Sequence, residues 1–225
     1  MVTYVFYYCK FFATFAIPIR VISEGKTLEG LGITMRKIHY LIPVFLILLF
    51  VMFILPFYST EGYLLFKNTT SQLGAQSTPN AWIMNLTFFL LGIASIIEGG
   101  MYLKNYCFQK ILITIFGLGL MFTAYFHHAP IIEDIPYSIF EDKMHSIFAS
   151  VVGFSFTIFS ISVAFIEKEI KKKRMLSFFI GIIATGLSLL MFNVPDYAGL
   201  WQRLIFILSF AWLIYFFEGR RHKYY

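Results

Sequence analysis

Long apolar stretches alternate with short polar connections along most of the chain. Six of the stretches are each about long enough to cross a bilayer, which takes roughly 20 residues of helix. They cover residues 40–58, 80–103, 110–127, 144–166, 176–193 and 200–217. The pattern predicts an all-α fold, an integral membrane bundle of six transmembrane helices.

The residues outside the six stretches form two short terminal segments. Residues 1–38 hold an apolar, aromatic run that Lys10 interrupts, and a charge at the centre of a span costs roughly 3 kcal/mol. We therefore expect an interfacial or cytoplasmic N-terminal segment rather than a seventh span. Alternatively, the natural chain starts at Met35, where basic residues followed by an apolar run are typical of a cytoplasmic N-terminus. The transmembrane domain then covers 39–217, and a basic cytoplasmic tail covers 218–225.

Lysine and arginine residues are sorted between alternate connections. Fifteen of the 18 lie on one side, and only Lys67, Lys143 and Arg203 lie on the other. The positive-inside rule therefore predicts a multi-pass protein of the cell membrane with both termini cytoplasmic. The net charge of +6 is then an orientation signal, and we expect no nucleic-acid partner.

The overall composition excludes an ordinary soluble domain. Hydrophobic residues make up 59% of the chain and charged residues 13%, whereas soluble domains are about a quarter charged. The lipid bilayer is therefore the first partner that the sequence predicts.

Histidines and carboxylates gather at the predicted outer end. His127 and His128 close the third stretch, His145 opens the fourth, and the segment between them holds four carboxylates, including Asp142. Because consecutive spans tend to be neighbours, we expect His128 and His145 within a few ångströms. Imidazoles with carboxylates suit zinc or another divalent ion, and they also suit acid–base chemistry near neutral pH. No HxxxH or HExxH spacing is present.

Arg203 lies near the outer end of the last stretch, where positive charge is scarce. We expect it to pair with a carboxylate or an anionic headgroup, or to extend towards the outer headgroups. Asn80 and Asn85 lie at a similar depth and either orient a ligand or bond across helices. Glu98 lies roughly 28 Å along its helix, at 1.5 Å per residue. That depth predicts a position at the inner headgroups.

Several short motifs lie between residues 40 and 217. They are Ser71-Gln72-Leu73-Gly74, Thr78-Pro79-Asn80-Ala81, Asn85 followed by Gly92, His145, and the Gly199-x-x-x-Arg203 step. Together they resemble a prokaryotic membrane family known only as domain of unknown function 998. The layout is also similar to that of the six-span Frag1, DRAM and Sfk1 proteins, some of which are linked to lipid or anchor remodelling.

Three functional hypotheses follow from these patterns. The first is a non-enzymatic protein that binds a lipid-like or small amphiphilic ligand in a polar pocket at the outer end. Its expected ligand-binding residues are Asn80, Asn85, His128, Asp142, His145 and Arg203.

The second hypothesis is a membrane-embedded metal-dependent hydrolase. Its ligands to a divalent ion such as zinc would be His127, His128 and His145. The chain departs from the ceramidase-like membrane hydrolases, because it has six spans and lacks their paired late histidines. The third hypothesis is a small-solute or proton-coupled transporter.

Overall fold

A computed structural model of the chain describes residues 39–132, 134–167 and 171–221. The long helices are α1 (Leu41–Ile54), α2 (Ala81–Tyr102), α3 (Cys107–Tyr125), α4 (Ile139–Ile166), α5 (Lys171–Asn193) and α6 (Ala198–Arg221). Short 3-10 turns occupy Leu55–Tyr58, Ser71–Gly74 and Pro195–Tyr197. The predicted N-terminal segment 1–38 lies outside the described residues.

Each apolar stretch of the sequence corresponds to one helix that is long and apolar enough to cross a membrane. These candidate spans are Leu41–Tyr58, Ala81–Tyr102, Cys107–Tyr125, Ile139–Ile166, Lys171–Asn193 and Pro195–Arg221. The prediction of an all-α protein with six spans is therefore confirmed for the described residues. The choice of membrane and the cytoplasmic placement of both termini stay predictions.

The helix ends define two ends of the bundle. The ends at Tyr58, Ala81, Tyr125, Ile139, Asn193 and Ala198 form one end, here called the loop end because residues 59–80 lie there. The opposite ends, at Leu41, Tyr102, Cys107, Ile166, Lys171 and Arg221, form the basic end. Helix α6 continues to Arg221, so residues 218–221 form its last turn. The basic cytoplasmic tail 218–225 stays a prediction.

Helices that follow one another along the chain pack against one another, and α6 also contacts α1 and α2. Aromatic side chains fill the space between them. The ring of Phe116 lies 5.8 Å from that of Phe156 and 5.9 Å from that of Phe210, measured between centroids. Such contacts add dispersion energy in lipid, where the hydrophobic effect gives helices little reason to associate.

Small residues bring α2, α3 and α4 close together. A methyl group on Gly92 or on Gly117 would collide with the carbonyl oxygen of the other glycine, and one on Gly119 would meet Val152. Close backbone approach of this kind is how helices gain contact area within a bilayer. These contacts therefore fix which helices are neighbours, and the side chains of the loop end are attached to those helices.

Candidate functional site

Arg203 lies in the first turns of α6 and is only 2% exposed. Its Nη1 donates to the carbonyl oxygens of Leu65 at 2.7 Å, Asn68 at 3.0 Å and Gly199 at 2.9 Å. Two of these acceptors, Leu65 and Asn68, belong to the loop 59–80 and lie more than 130 positions before Arg203 in the sequence. The arginine therefore fastens that loop to the start of the last helix.

The remaining nitrogens of Arg203 also have protein partners. Nη2 donates to the Tyr63 hydroxyl at 2.7 Å, and both Nε and Nη2 lie 3.4 Å from the carbonyl oxygen of Met52. In the described part of the chain, no carboxylate forms an ion pair with Arg203. Carbonyl oxygens and a hydroxyl take the place of the expected carboxylate. Ligand binding by Arg203 stays a prediction, and it would require one of these contacts to break.

Tyr63 completes the surroundings of the guanidinium. Its hydroxyl donates towards the carbonyl oxygens of Asn68 at 3.1 Å and Thr69 at 2.9 Å. Burial raises the pKa of Tyr63 above its ordinary value of 10.0, although the charge of Arg203 and its hydrogen bond act in the opposite direction. The hydroxyl therefore stays protonated at neutral pH and keeps the hydrogen that it donates to the loop.

The first turn of α6 also binds the loop through its backbone. The N–H groups of Gly199 and Leu200 donate to the carbonyl oxygens of Lys67 at 3.1 Å and Phe66 at 3.0 Å. These N–H groups have no partner within the helix, because the first turn lacks preceding carbonyls. A side chain at Gly199 would collide with two carbonyl oxygens of the same loop. The Gly-x-x-x-Arg step is therefore a loop-binding motif in this fold.

Gly199→Ala is expected to lower the free energy of unfolding by about 1–3 kcal/mol, because the added methyl must displace the loop backbone. Gly186→Ala is the matched control, since it adds the same methyl group to a helix where nothing lies within 4 Å. Alanine there is neutral or stabilising by up to about 1 kcal/mol. Titration with sodium dodecyl sulfate, followed by tryptophan fluorescence, measures both. Equal stability of the two variants would contradict the close contact at Gly199.

Asn80 and Asn85, at the start of α2, also help to hold the loop 59–80 in place. The side-chain nitrogen of Asn85 donates to the carbonyl oxygen of Gly74 at 3.0 Å, and that of Asn80 donates to the carbonyl oxygen of Tyr58 at 2.9 Å. Asn80 has a left-handed backbone with φ of 58°, a conformation that asparagine tolerates better than most residues. Both side-chain nitrogens donate to backbone carbonyl oxygens, and ligand binding by these residues stays a prediction.

Two histidine–carboxylate pairs lie side by side where α3 ends and α4 begins. Nδ1 of His127 is 3.0 Å from Oε2 of Glu141, and Nδ1 of His128 is 3.4 Å from Oδ1 of Asp142. The four side chains are between 27% and 39% exposed. Oδ1 of Asp142 also accepts the N–H of Ala129 at 2.8 Å. Both pairs are therefore held in place yet accessible.

His145 lies beneath these pairs and is 3% exposed. Its Nδ1 lies 3.0 Å from the carbonyl oxygen of Thr123 and 2.8 Å from that of Phe126, so Nδ1 carries the proton. Its ring centroid is 5.2 Å from that of His128, which is the proximity that the sequence predicted. Nε2 of His145 is buried and has no hydrogen-bond partner among residues 39–132, 134–167 and 171–221.

These five side chains are here called the histidine face: His127, His128, Glu141, Asp142 and His145. Within the described ranges, no group of three or more His, Cys, Asp or Glu side chains is placed to hold a metal ion. Each histidine directs Nδ1 at a different partner. A shared divalent ion on the three histidines stays a prediction that this geometry does not favour.

Gln76 connects the loop 59–80 to the histidine face. Its backbone N–H donates to the carbonyl oxygen of His128 at 2.9 Å, and its side-chain nitrogen donates to those of His127 at 3.2 Å and Ser138 at 3.1 Å. Its side-chain oxygen accepts the N–H of Ser138 at 2.7 Å. The sequence did not identify Gln76, because a polar residue in a polar loop carries no periodic signal.

A second polar cluster, also missed from the sequence, lies at the basic end. Glu98 is 0% exposed. Its Oε1 is 2.5 Å from Nδ1 of His39 and accepts the N–H of Leu41 at 2.9 Å. Nε2 of His39 is 3.5 Å from Oε2 of Glu218. Glu98 lies in the last turns of α2, and its side chain is buried inside the protein; its position relative to the headgroups stays a prediction. Because a charge within a span is costly, the position of Glu98 in the sequence could have indicated that it has a partner inside the protein.

Arg220 forms the other buried ion pair of the basic end. Its Nη2 lies 2.9 Å from Oε1 of Glu167, and both side chains are buried. The guanidinium also lies 4.4 Å from the ring centroid of Tyr106 and 5.5 Å from that of Phe216. This arginine links the end of α4 to the end of α6 and to the turn before α3.

One protein family matches the sequence. Its model, described as a protein of unknown function (DUF998), matches residues 42–217, a range that includes the Arg203 contacts, the histidine face and Glu98. No curated protein and no solved structure matches the chain.

Proposed function

Because the chain belongs to the DUF998 family of membrane proteins, whose function is unknown, we propose a function from the contacts at its loop end. The histidine face binds the polar headgroup of a lipid-like or small amphiphilic molecule. The observation that carries this proposal is the buried Nε2 of His145, which has no hydrogen-bond partner in the described part of the chain and lies beneath two accessible histidine–carboxylate pairs.

The chemistry of the histidine face suits a headgroup that both donates and accepts hydrogen bonds. The carboxylates of Glu141 and Asp142 accept, imidazole N–H groups donate, and Nε2 of His145 offers a lone pair. The exposed apolar side chains of Ile139 and Phe140 lie directly beside the carboxylates in α4. A polar group next to an apolar surface matches an amphiphile with its tail in the bilayer.

Arg203, Asn80 and Asn85 act in this proposal as positioning residues. They hold the loop 59–80 in place, and Gln76 of that loop donates to backbone carbonyls of the histidine face. Loss of any of them moves the loop and thereby the binding surface. Their contribution to ligand affinity is indirect.

The proposal predicts saturable shifts of histidine ring resonances when an amphiphile binds. Protein labelled with ¹⁵N-histidine is titrated in non-ionic detergent with lysophosphatidylglycerol and with a monoacylglycerol of the same chain length. We expect the resonances of His127, His128 and His145 to respond to at least one probe, while that of His39 at the basic end does not. The preferred probe then identifies the headgroup class.

Variants of exposed residues test whether the response is specific. His128→Gln is expected to weaken binding at least tenfold, since it removes the imidazole as a hydrogen-bonding partner. Lys143→Gln is the matched control, because Lys143 is exposed on the same helix and belongs to none of the pairs. Equal weakening in both variants, or no saturable shift with either probe, would reject the proposal. A stoichiometric divalent metal that His128→Gln removes would instead support the hydrolase hypothesis.

A further inference from the structure

A shallow groove opens at the basic end between the start of α5 and the end of α6. Its lining includes Lys173 and Ser177 from α5, and Trp212, Tyr215 and Gly219 from α6. The groove lies at the opposite end of the bundle from the histidine face. Any ligand here is therefore independent of the proposed function.

Lys173 places a positive charge at this groove. Its Nζ lies 5.6 Å from the ring centroid of Tyr215, within cation–π distance. A methyl group at Gly219 would come within 3.0 Å of the same nitrogen. The absence of a side chain at Gly219 therefore leaves room for the ammonium between the helices.

The groove keeps a net positive charge. Among the described residues that line it, the one acidic side chain, Glu167, is paired with Arg220 at 2.9 Å, and no described carboxylate pairs with Lys173. The described ends of α4, α5 and α6 carry six Lys or Arg residues against two Glu. These are Lys171, Lys172, Lys173, Arg174, Arg220 and Arg221 against Glu167 and Glu218.

The basic residues at the start of α5 do not stabilise that helix. Four consecutive cations, Lys171 to Arg174, occupy its first turn, where the helix macrodipole disfavours positive charge. They therefore have another role. Orientation in the bilayer accounts for a basic cluster as such, but it does not require one lysine to turn into a groove over an aromatic ring.

The surroundings of the groove suit a lipid. Tyr215 is 48% exposed, and the apolar side chain of Leu176, three residues after Lys173 in α5, is also exposed. Tyrosine and tryptophan favour the boundary between headgroups and acyl chains. An acyl chain can follow the apolar surface of α5 while its headgroup remains beside the charges.

We propose that this groove binds the headgroup of an anionic phospholipid, with its phosphate against Lys173 and its acyl chains along α5. Basic pockets between transmembrane helices are suited to such headgroups, because charge and aromatic surface act together there. The positive charge favours an anionic group, and the exposed apolar surface beside it favours a lipid over a free anion.

Binding of dioctanoyl-phosphatidylglycerol to the full chain in non-ionic detergent micelles tests the proposal. Native mass spectrometry measures the affinity, with dioctanoyl-phosphatidylcholine and inorganic phosphate as comparison ligands. We expect phosphatidylglycerol to bind at least tenfold more tightly than phosphatidylcholine. If inorganic phosphate binds as tightly as phosphatidylglycerol, the site takes a free anion and the lipid assignment is overturned.

Two variants separate the groove from the general basic charge. Lys173→Gln is expected to weaken phosphatidylglycerol binding at least tenfold. Lys172→Gln removes the same charge from an exposed neighbour outside the groove and should change affinity by less than about twofold at 0.15 M salt, where screening is strong. Equal losses in both variants would overturn the proposal.

A third variant fills the groove without changing its charge. Gly219→Leu should weaken binding of phosphatidylglycerol as much as Lys173→Gln does, whereas unchanged affinity would overturn the proposal. Lys173→Gln should leave the response of the His127, His128 and His145 ring resonances to amphiphiles unchanged. Failure at the histidine face and failure at the groove are therefore measured separately.

Discussion

Replacing Arg203 with methionine is expected to lower the free energy of unfolding by about 3–5 kcal/mol. The guanidinium serves three carbonyl oxygens through Nη1 alone, and one hydrogen bond from a charged donor contributes about 1.5–3 kcal/mol. The total stays below the sum of the bonds, because water can reach part of the freed loop. Titration with sodium dodecyl sulfate, followed by tryptophan fluorescence, measures the change.

A graded series tests whether the geometry of the donor matters. Arg203→Lys keeps the charge but replaces a planar fork by one ammonium, so we expect a loss of about 2 kcal/mol. Lys67→Gln is the matched control in the same loop. Its pair with Asp196 spans 3.9 Å between exposed groups, and such pairs contribute about 0–1 kcal/mol. If Arg203→Met were as stable as Lys67→Gln, Arg203 would not hold the loop.

A local measurement separates loop opening from general instability. Ala75 in the loop is only 1% exposed. A cysteine at that position should be protected from a thiol reagent in the parent protein and labelled when Arg203→Met is added, under conditions where all helices remain folded. Labelling of the protein that lacks the new cysteine is subtracted as background. Continued protection of Ala75→Cys would show that the loop does not depend on Arg203.

Replacing Glu98 with alanine is expected to cost about 3–4 kcal/mol. The variant leaves the N–H of Leu41 without its acceptor and removes the nearest partner of His39. Loss of one partner from a buried pair is costly, because the other partner is left uncompensated. A carboxylate at the start of α1 also interacts favourably with the helix macrodipole. The same detergent titration measures this variant.

Two comparisons assign the effect to the polar contacts of Glu98. Ser95→Ala is the matched control one turn away, because Ser95 is fully buried but bonds only to Leu91 of its own helix; we expect less than about 1 kcal/mol. A double-mutant cycle with His39→Ala should show a coupling of about 1–2 kcal/mol. Strictly additive losses would show that the two side chains do not stabilise one another.

The sequence predicted the six spans because that prediction depends on a property summed over a contiguous segment. The free energy of placing about 20 apolar residues in lipid is favourable, and that of placing one charge at the centre of the span is unfavourable. Both depend mainly on the segment itself and little on distant residues. The proximity of His128 and His145 followed from a similarly local fact, since a short connection joins their two helices. The Gly199-x-x-x-Arg203 spacing likewise indicates one helix face.

The sequence could not predict which polar side chains are engaged by the protein itself. Arg203 was expected to pair with a carboxylate or an anionic headgroup or to extend to the headgroups, and Asn80 and Asn85 to orient a ligand or to bond across helices. In the structure each bonds to backbone carbonyls. Gln76 was not identified at all. A hydrogen bond forms only within about 3 Å and with suitable direction, and its partner can come from any part of the chain.

The sequence by itself therefore determined the membrane class, the six spans of the described residues and the end at which His127, His128 and His145 gather, because hydrophobicity and helical spacing act locally. The tertiary structure decided that Arg203 holds a loop, that His145 lies beneath two accessible pairs, and that Glu98 joins His39 across 59 positions. These outcomes depend on the placement of distant backbone to within an ångström, which the packing of the helices fixes.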